Sequence, residues 1–202
     1  MIETNSAVPE EQPPLERTSL GAYFEEFIKV CIVAAVIILP VRFFVIQPFI
    51  VKGASMEPTF YENEYLIVDE LSFRFRDPER GEVVIFRYPK TEKRFLIKRV
   101  IGLPGDRVSI HDNRITVYNK DYPNGRMLDE KEYLPSETPT GDFDVTVTPN
   151  QFFVLGDNRT VSFDSERFGP VDRSQLVGRA VFRGLPIPRA QLINLPQYPA
   201  SK

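Results

Sequence analysis

The 202-residue chain has one cysteine, one histidine and no tryptophan. The lone cysteine, Cys31, excludes an internal disulfide and leaves no thiolate cluster for zinc or an iron–sulfur centre. With His111 the only imidazole, a histidine-based metal site or triad would rest on that residue alone. Net charge is small, −3, so nothing argues for nucleic-acid binding. Long apolar runs are equally scarce: there is one, ending near Val51, and the tail from Pro186 holds no second one. Turn formers are plentiful. Eighteen prolines and 11 glycines, with 42% hydrophobic and 26% charged residues, suit an ordered domain with many turns better than a disordered chain.

Residues 1–19 carry Pro9, Pro13, Pro14 and several glutamates without an apolar period, and read as a disordered acidic tail. Residues 20–46 read as a transmembrane anchor. The run from Phe27 to Val51 is apolar except for Lys29, Arg42 and Gln47. Its centre, Val30–Val41, falls short of the about 20 residues a crossing needs. Extension from Ala22 to Val45 makes up the length, with Lys29 and Arg42 snorkelling to the two interfaces. The preceding tail is acidic and Val41–Val51 lacks a small-residue cleavage pattern, so the anchor is expected to stay uncleaved. Arg17 and Lys29 balance Arg42 and Lys52, and charge alone gives no orientation.

Beyond Thr59 the pattern turns to short β-type runs between turn signals. Strands are expected at Glu64–Asp69, Glu82–Tyr88 and Phe95–Ile101, then as a hairpin, Arg107–His111 and Arg114–Tyr118, about Asp112-Asn113. Further strands are expected at Asp144–Thr148, Gln151–Leu155 and Val177–Arg183. The expectation is a mostly β domain over residues 47–185, interrupted by an excursion at 119–150 and followed by a Pro-rich tail, 186–202. Within it, Ser72–Arg76 alternates aromatic and basic residues. As an extended segment it would turn Phe73 and Phe75 to one side, towards a membrane interface.

Three stretches carry possible chemistry. In Gly53-Ala54-Ser55-Met56-Glu57-Pro58-Thr59 a small residue, a serine and a helix-blocking proline describe a tight turn that can hold a hydroxyl clear of the backbone. A nucleophilic hydroxyl needs a base. His111, at a hairpin tip, reads as an exposed turn residue. Lys98 lies in Phe95–Ile101, where Leu96, Lys98 and Val100 share one face and Phe95, Ile97 and Ile101 the other. Both faces are apolar, so one of Lys98 and Arg99 is expected inside. A desolvated lysine can lose its proton and serve as a base, whereas a guanidinium cannot. A lysine snorkelling to the sheet rim is the alternative. The third stretch, Gly156–Ser165, packs hydroxyls, carboxylates and Arg159 behind a strand. It could be a loop stitched by its own side chains, or it could orient a base, with a serine hydroxyl as the acceptor.

Together these stretches resemble the type I signal peptidases (leader peptidases), membrane-bound serine proteases with a Ser–Lys dyad. The matching strings are Gly-Ala-Ser-Met-Glu-Pro-Thr at 53–59, Lys-Arg-Val-Ile-Gly-Leu-Pro-Gly-Asp at 98–106, and Gly-Asp-Asn-Arg at 156–159 with Ser162 and Asp164-Ser165. The resemblance spans about Phe24 to Phe182 and implies a signal-peptidase-like fold of twisted antiparallel sheets behind one N-terminal membrane helix. It implies that Ser55 attacks the scissile carbonyl, that Lys98 moves the proton and that Ser162 hydrogen-bonds the lysine amine. Asp157 and Asp164 would brace the loop by pairing with arginines, and Arg99 joins this supporting set. Gly53 stands where some members carry a hydroxyl, so the oxyanion would be received mainly by the Ser55 N–H, with Gly53 allowing close approach. Glu166 stands where many members have arginine, and Arg167 could brace Asp164 only by a different geometry.

The resemblance further implies cleavage after small residues, in shallow pockets lined by Phe49, Val51, Met56, Phe60, Leu96 and Ile97. It implies signal peptides of exported preproteins as substrates, a lipid bilayer as support and a catalytic domain on the extracytoplasmic side of the cell membrane. No metal or organic cofactor is needed. Two other readings share the motifs: a self-cleaving Ser–Lys protease like the SOS-response repressors, and an inactive membrane-tethered β-domain acting as a binding module. Oligomeric state is not legible.

Overall fold

The computed structural model describes residues 20–44, 46–134 and 141–198. Two units divide the chain, residues 1–40 and residues 41–202. Helix α1, Leu20–Phe44, is 25 residues long. Phe24, Phe27, Val30, Val33 and Val36 are exposed along it, and Lys29 pairs with Glu25 at 2.7 Å. Among the described residues no helix is both long and apolar enough to cross a membrane. The expected disordered tail, residues 1–19, lies outside the described residues, as do residues 135–140 of the expected excursion.

The second unit is built from strands β1 (Ile46–Ile50), β2 (Tyr65–Asp69), β3 (Val83–Tyr88), β4 (Thr91–Gly102), β5 (Arg107–His111) and β6 (Arg114–Tyr118). Then come β7 (Arg126–Met127), β8 (Phe143–Thr146), β9 (Gln151–Leu155), the short helix α2 (Ser165–Phe168), β10 (Val171–Asp172), β11 (Leu176–Leu185) and β12 (Gln191–Leu192). The larger sheet runs β1-β2-β11-β3-β4-β9-β10, with β12 on β11; the smaller runs β7-β6-β5-β8. All pairings are antiparallel.

The predicted runs become strands because each carries β-branched and aromatic residues between turn formers. β1 is an addition, in a stretch whose apolarity reads as part of the anchor run. Its Pro48 is tolerated because β1 is an edge strand, where a missing N–H costs no ladder bond. The excursion supplies β7 and β8 to the smaller sheet. Ser72–Arg76 is corrected. Asp69 accepts the Ser72 N–H at 3.0 Å and the chain turns into a 3-10 segment, Ser72–Arg74. That sends Phe73 into the core, 6% exposed, and leaves Phe75 outside at 82%, so the two rings do not share a side.

Three apolar clusters hold the sheets. One lies beneath the smaller sheet, joining Val108, Ile110, Ile115 and Val117 to Phe153 and Leu155. A second joins Val51, Met56 and Phe60 to Leu66, Val68, Val83 and Ile85, and so seats the chain around Ser55 on the larger sheet. The third gathers Phe73, Val84, Phe86, Val100, Phe152 and Val154.

Candidate active site

β1 ends at Ile50, and the following loop must return to begin β2 at Tyr65. Val51 fixes its start, donating to the Glu64 carbonyl at 2.9 Å and accepting from Asn63 at 2.9 Å. Met56 and Phe60 then anchor it, 0% and 1% exposed. Between these anchors Ser55 is half-buried. Gly53 adopts φ +80°, which a residue with a Cβ rarely takes, and its N–H is committed to Glu62 at 3.3 Å. Among the described residues no backbone carbonyl takes the Ser55 N–H.

Strand β4 brings Lys98 to this loop. Lys98 pairs with Val84 of β3, and one residue later Arg99 pairs with Leu155 of β9. The strand is thus held by β3 where it passes the serine and by both β3 and β9 at Arg99. The Lys98 Nζ lies 2.7 Å from Ser55 Oγ and 2.9 Å from its neighbour's carbonyl, Ile97 O. Lys98 is 2% exposed. Burial pulls its amine down from the usual 10.5 to about 8, with Asp164 and Asp157 opposing the change and Arg94 adding to it. At that value about a tenth of the amine is neutral at pH 7, and a neutral amine can accept the hydroxyl proton.

Arg99 is buried as well, 2% exposed. Its guanidinium holds Asp157 through two bonds, Nε to Oδ1 at 2.9 Å and NH2 to Oδ2 at 2.6 Å. It also donates to Gly81 O at 2.9 Å, and Thr59 donates to Asp157 Oδ2 at 2.5 Å. Strand β4, the serine loop and the turn after β9 therefore meet at one carboxylate. Asn158 completes the join, donating its N–H to Ser55 O at 3.1 Å. Gly156 permits the approach. A Cβ there would sit 2.5 Å from Ser55 O and 2.1 Å from Ser162 Oγ.

Against known proteins, the family described as "Signal peptidase, peptidase S26" matches residues 24–185. The chain belongs to this family. A probable signal peptidase I-2 of Synechocystis is 40% identical over 91% of this chain and 81% of its own length. A signal peptidase I of Bacillus caldolyticus is 37% identical over 85% of this chain and 94% of its own. A crystal structure of a signal peptidase I from Enterococcus faecalis covers 52% of this chain and 98% of its own, at 31% identity and a TM-score of 0.43. Membership makes the chain an enzyme of the signal peptidase type rather than a binding module.

In this S26 peptidase a cleft of about 570 Å³ opens beside Ser55 and Lys98. Of the six residues named for the substrate pockets, Phe49, Val51, Leu96 and Ile97 line it. Met56 and Phe60 do not line it. Both are spent on the core that seats the loop, which is a correction to their place in the pocket. Leu66, Ile85, Phe95 and Phe163 line the cleft unforeseen. Leu66 and Ile85 are brought there by strand order, on β2 and β3, whereas Phe95 and Phe163 lie within the Lys98 and Gly156–Ser165 stretches themselves.

Ser162 is a second correction. Its hydroxyl is buried with no hydrogen-bond partner among the described residues, and the bond to Lys98 is made by Ile97 O instead. The turn explains this: Ser162 donates its N–H to Asn158 O at 3.0 Å, which lays its Oγ over Gly156. Asp164 is a third. Instead of pairing with an arginine it caps α2, accepting the Gly156 N–H at 3.0 Å and the Glu166 N–H at 3.3 Å. Glu166 is half-buried beside it, and burial together with the Asp164 charge pushes its carboxyl up. His111 sits on the smaller sheet, 2.8 Å from Asp144, with its side chain 55% exposed.

Proposed function

We propose that the chain is a membrane-attached serine endopeptidase that removes signal peptides from preproteins, with Ser55 as nucleophile and Lys98 as general base. The observation that carries it is the 2.7 Å approach of an amine that is almost wholly buried to an accessible serine hydroxyl in an apolar cleft.

The chemistry follows from the proton. With Lys98 neutral, the Ser55 hydroxyl donates to Nζ, and as Oγ attacks the scissile carbonyl the proton passes to the amine. The carbonyl oxygen becomes an oxyanion, and the Ser55 N–H is the donor available to it. Collapse breaks the C–N bond, and the ammonium gives its proton to the leaving amine. A water then attacks the acyl ester as Lys98 takes its proton, and when the C–Oγ bond breaks the Lys98 ammonium returns that proton to Ser55 Oγ, leaving the free alcohol and the neutral amine. Asp157 and Arg99 hold the two chains that carry the pair.

Substrate docking is supported by the strand edges. Among the described residues β1 pairs only with β2, and residues 94–97 of β4 lie outside its pairing with β9. Both edges line the cleft, so an extended peptide can add between them through its main chain. The closely spaced apolar wall of Phe49, Leu66, Ile85 and Ile97 favours small residues next to the cut. Membrane attachment would run through α1, whose apolar side chains are exposed along its length. The apolar segment also continues through residues 39–45, whose side chains lie outside the described set.

The test is cleavage of a preprotein in detergent by the parent, Ser55→Ala and Lys98→Arg. Cleavage at a small-X-small site by the parent alone is expected. Substantial cleavage by Lys98→Arg would place the base elsewhere, because a guanidinium stays protonated at working pH.

A further inference from the structure

The excursion after β6 has no part in the chemistry above, yet it reaches the turn that backs the nucleophile. Glu130 accepts from both terminal nitrogens of Arg159, NH1 to Oε2 at 2.8 Å and NH2 to Oε1. The Arg159 side chain is 2% exposed and that of Glu130 14%. The third donor of the same guanidinium, Nε, holds Gly156 O at 2.9 Å. Gly156 begins the turn whose Asn158 N–H holds Ser55 O at 3.1 Å. Glu130 is itself held: Tyr133 donates to its Oε1 at 2.5 Å, and the Tyr133 hydroxyl meets that of Tyr198 at 3.1 Å. The Tyr133 ring also lies 3.8 Å beneath the Arg99 guanidinium. Gln197, next to Tyr198, donates its N–H to Glu132 at 2.8 Å. Pro196 lies so close to Gly81 that a Cβ there would stand 2.7 Å from its ring.

We propose that Glu130 is a positioning residue for the nucleophile: through Arg159 it fixes the Gly156–Asn158 turn on which Ser55 rests, and Tyr198, through the Tyr133 hydroxyl, holds Glu130 in place. This rests on the Ser55–Lys98 reading. A buried guanidinium deprived of its carboxylate does not discharge; it seeks another acid. Asp157 and Glu166 are the other acids in its field, and Asp157 already serves Arg99. Re-pairing would draw the turn away from Ser55. It would also engage Asp157, one of the two carboxylates that support the ammonium of Lys98, whose amine otherwise faces Ser55 and Ile97 O, with Asp164 and Arg94 also in its field.

The experiment compares the full chain with Glu130→Gln, Arg159→Gln, the double variant, Glu130→Asp and Tyr133→Phe. Preprotein cleavage is followed across pH, and thermal unfolding is recorded for each. Glu130→Gln is expected to lose about tenfold in kcat with little change in KM, because it misplaces the nucleophile without touching the cleft. Its rate loss on acidification should move to lower pH by about half a unit, since Asp157, engaged by Arg159, supports the lysine ammonium less. Glu130→Asp should recover part of the rate, and the double variant should lose no more than the worse single one. Unchanged kcat in a folded Glu130→Gln, or losses that multiply in the double variant, would overturn the proposal. Should Glu130→Gln fail to fold, Tyr133→Phe and Glu130→Asp decide by the same two readouts. Ser55→Ala is run alongside. If it stays active, the dyad reading falls and this proposal with it; if it is inactive while Glu130→Gln is fully active, this proposal alone falls.

Discussion

Lys98 is costly to the fold and useful for the same reason. Its amine, brought down to about 8 by burial, must be neutral to act, so kcat/KM should fall as pH drops through that value and level off above it. A pH–rate profile of preprotein cleavage checks this; a midpoint near 10.5, or one near 6.5 as for an imidazole, would point to a different base. The stability sign is opposite to that of a paired ion. Between about 8 and 10.5 the folded chain binds fewer protons here than the unfolded chain, so this residue's penalty is full below that window and is relieved as pH rises through it. Lys98→Met should therefore abolish cleavage yet stabilise the fold at neutral pH by about 2 kcal/mol, measured by denaturant unfolding. Gly156 gives the complementary case. Its substitution by alanine puts a methyl group against Ser55 O and Ser162 Oγ, and kcat/KM should fall about 100-fold as the nucleophile is pushed off line. The strings that mark these residues were legible because their types are uncommon together. The acceptor of the lysine proton was not. Ile97 O is a main-chain atom, and no side-chain pattern announces it.

Among the elements, β4 decides most. Its neighbours change as it passes the site, from β3 at Lys98 to both β3 and β9 at Arg99. Alternation along a strand says that successive side chains face opposite ways; it does not say what covers each face. One residue of the pair was expected inside, and both are. Lys98 is covered by the loop after β1, and Arg99 by Asp157 and the ring of Tyr133. Those covers come from segments 43, 58 and 34 positions away. For the same reason most of the longer strands are placed to within two residues, while β4 begins four residues before its expected start. The short β7, β10 and β12 carry no signal, β1 is hidden in an apolar run and the Ser72–Arg74 turn reads as extended chain. The Arg99–Asp157 pair is the rivet between β4 and the turn after β9. Asp157→Ala leaves a buried guanidinium unmatched and should cost about 3–5 kcal/mol, read as a lowered midpoint in thermal or urea unfolding.

At the scale of the whole molecule, the three apolar clusters belong to the unit after residue 40. A chain starting at Ile46 should therefore fold, hydrolyse a short soluble peptide within about twofold of the parent rate, and lose co-sedimentation with lipid vesicles. Retained vesicle binding would move attachment off α1. The sequence reading sets its boundary at residue 46, inside the apolar run, whereas the two units part at residue 40. The sequence could not show the cleft, whose walls are assembled from β1, β2, β3 and β4. The exposed edges of β1 and β4 on either side of that cleft have a practical consequence. Amides are common to every peptide, so a ligand gripped along its main chain can be varied widely in its side chains and still bind. The sensitive positions of an inhibitor are then its nitrogens: methylating alternate ones, with no other alteration, should release it, whereas methylating those between should leave it in place.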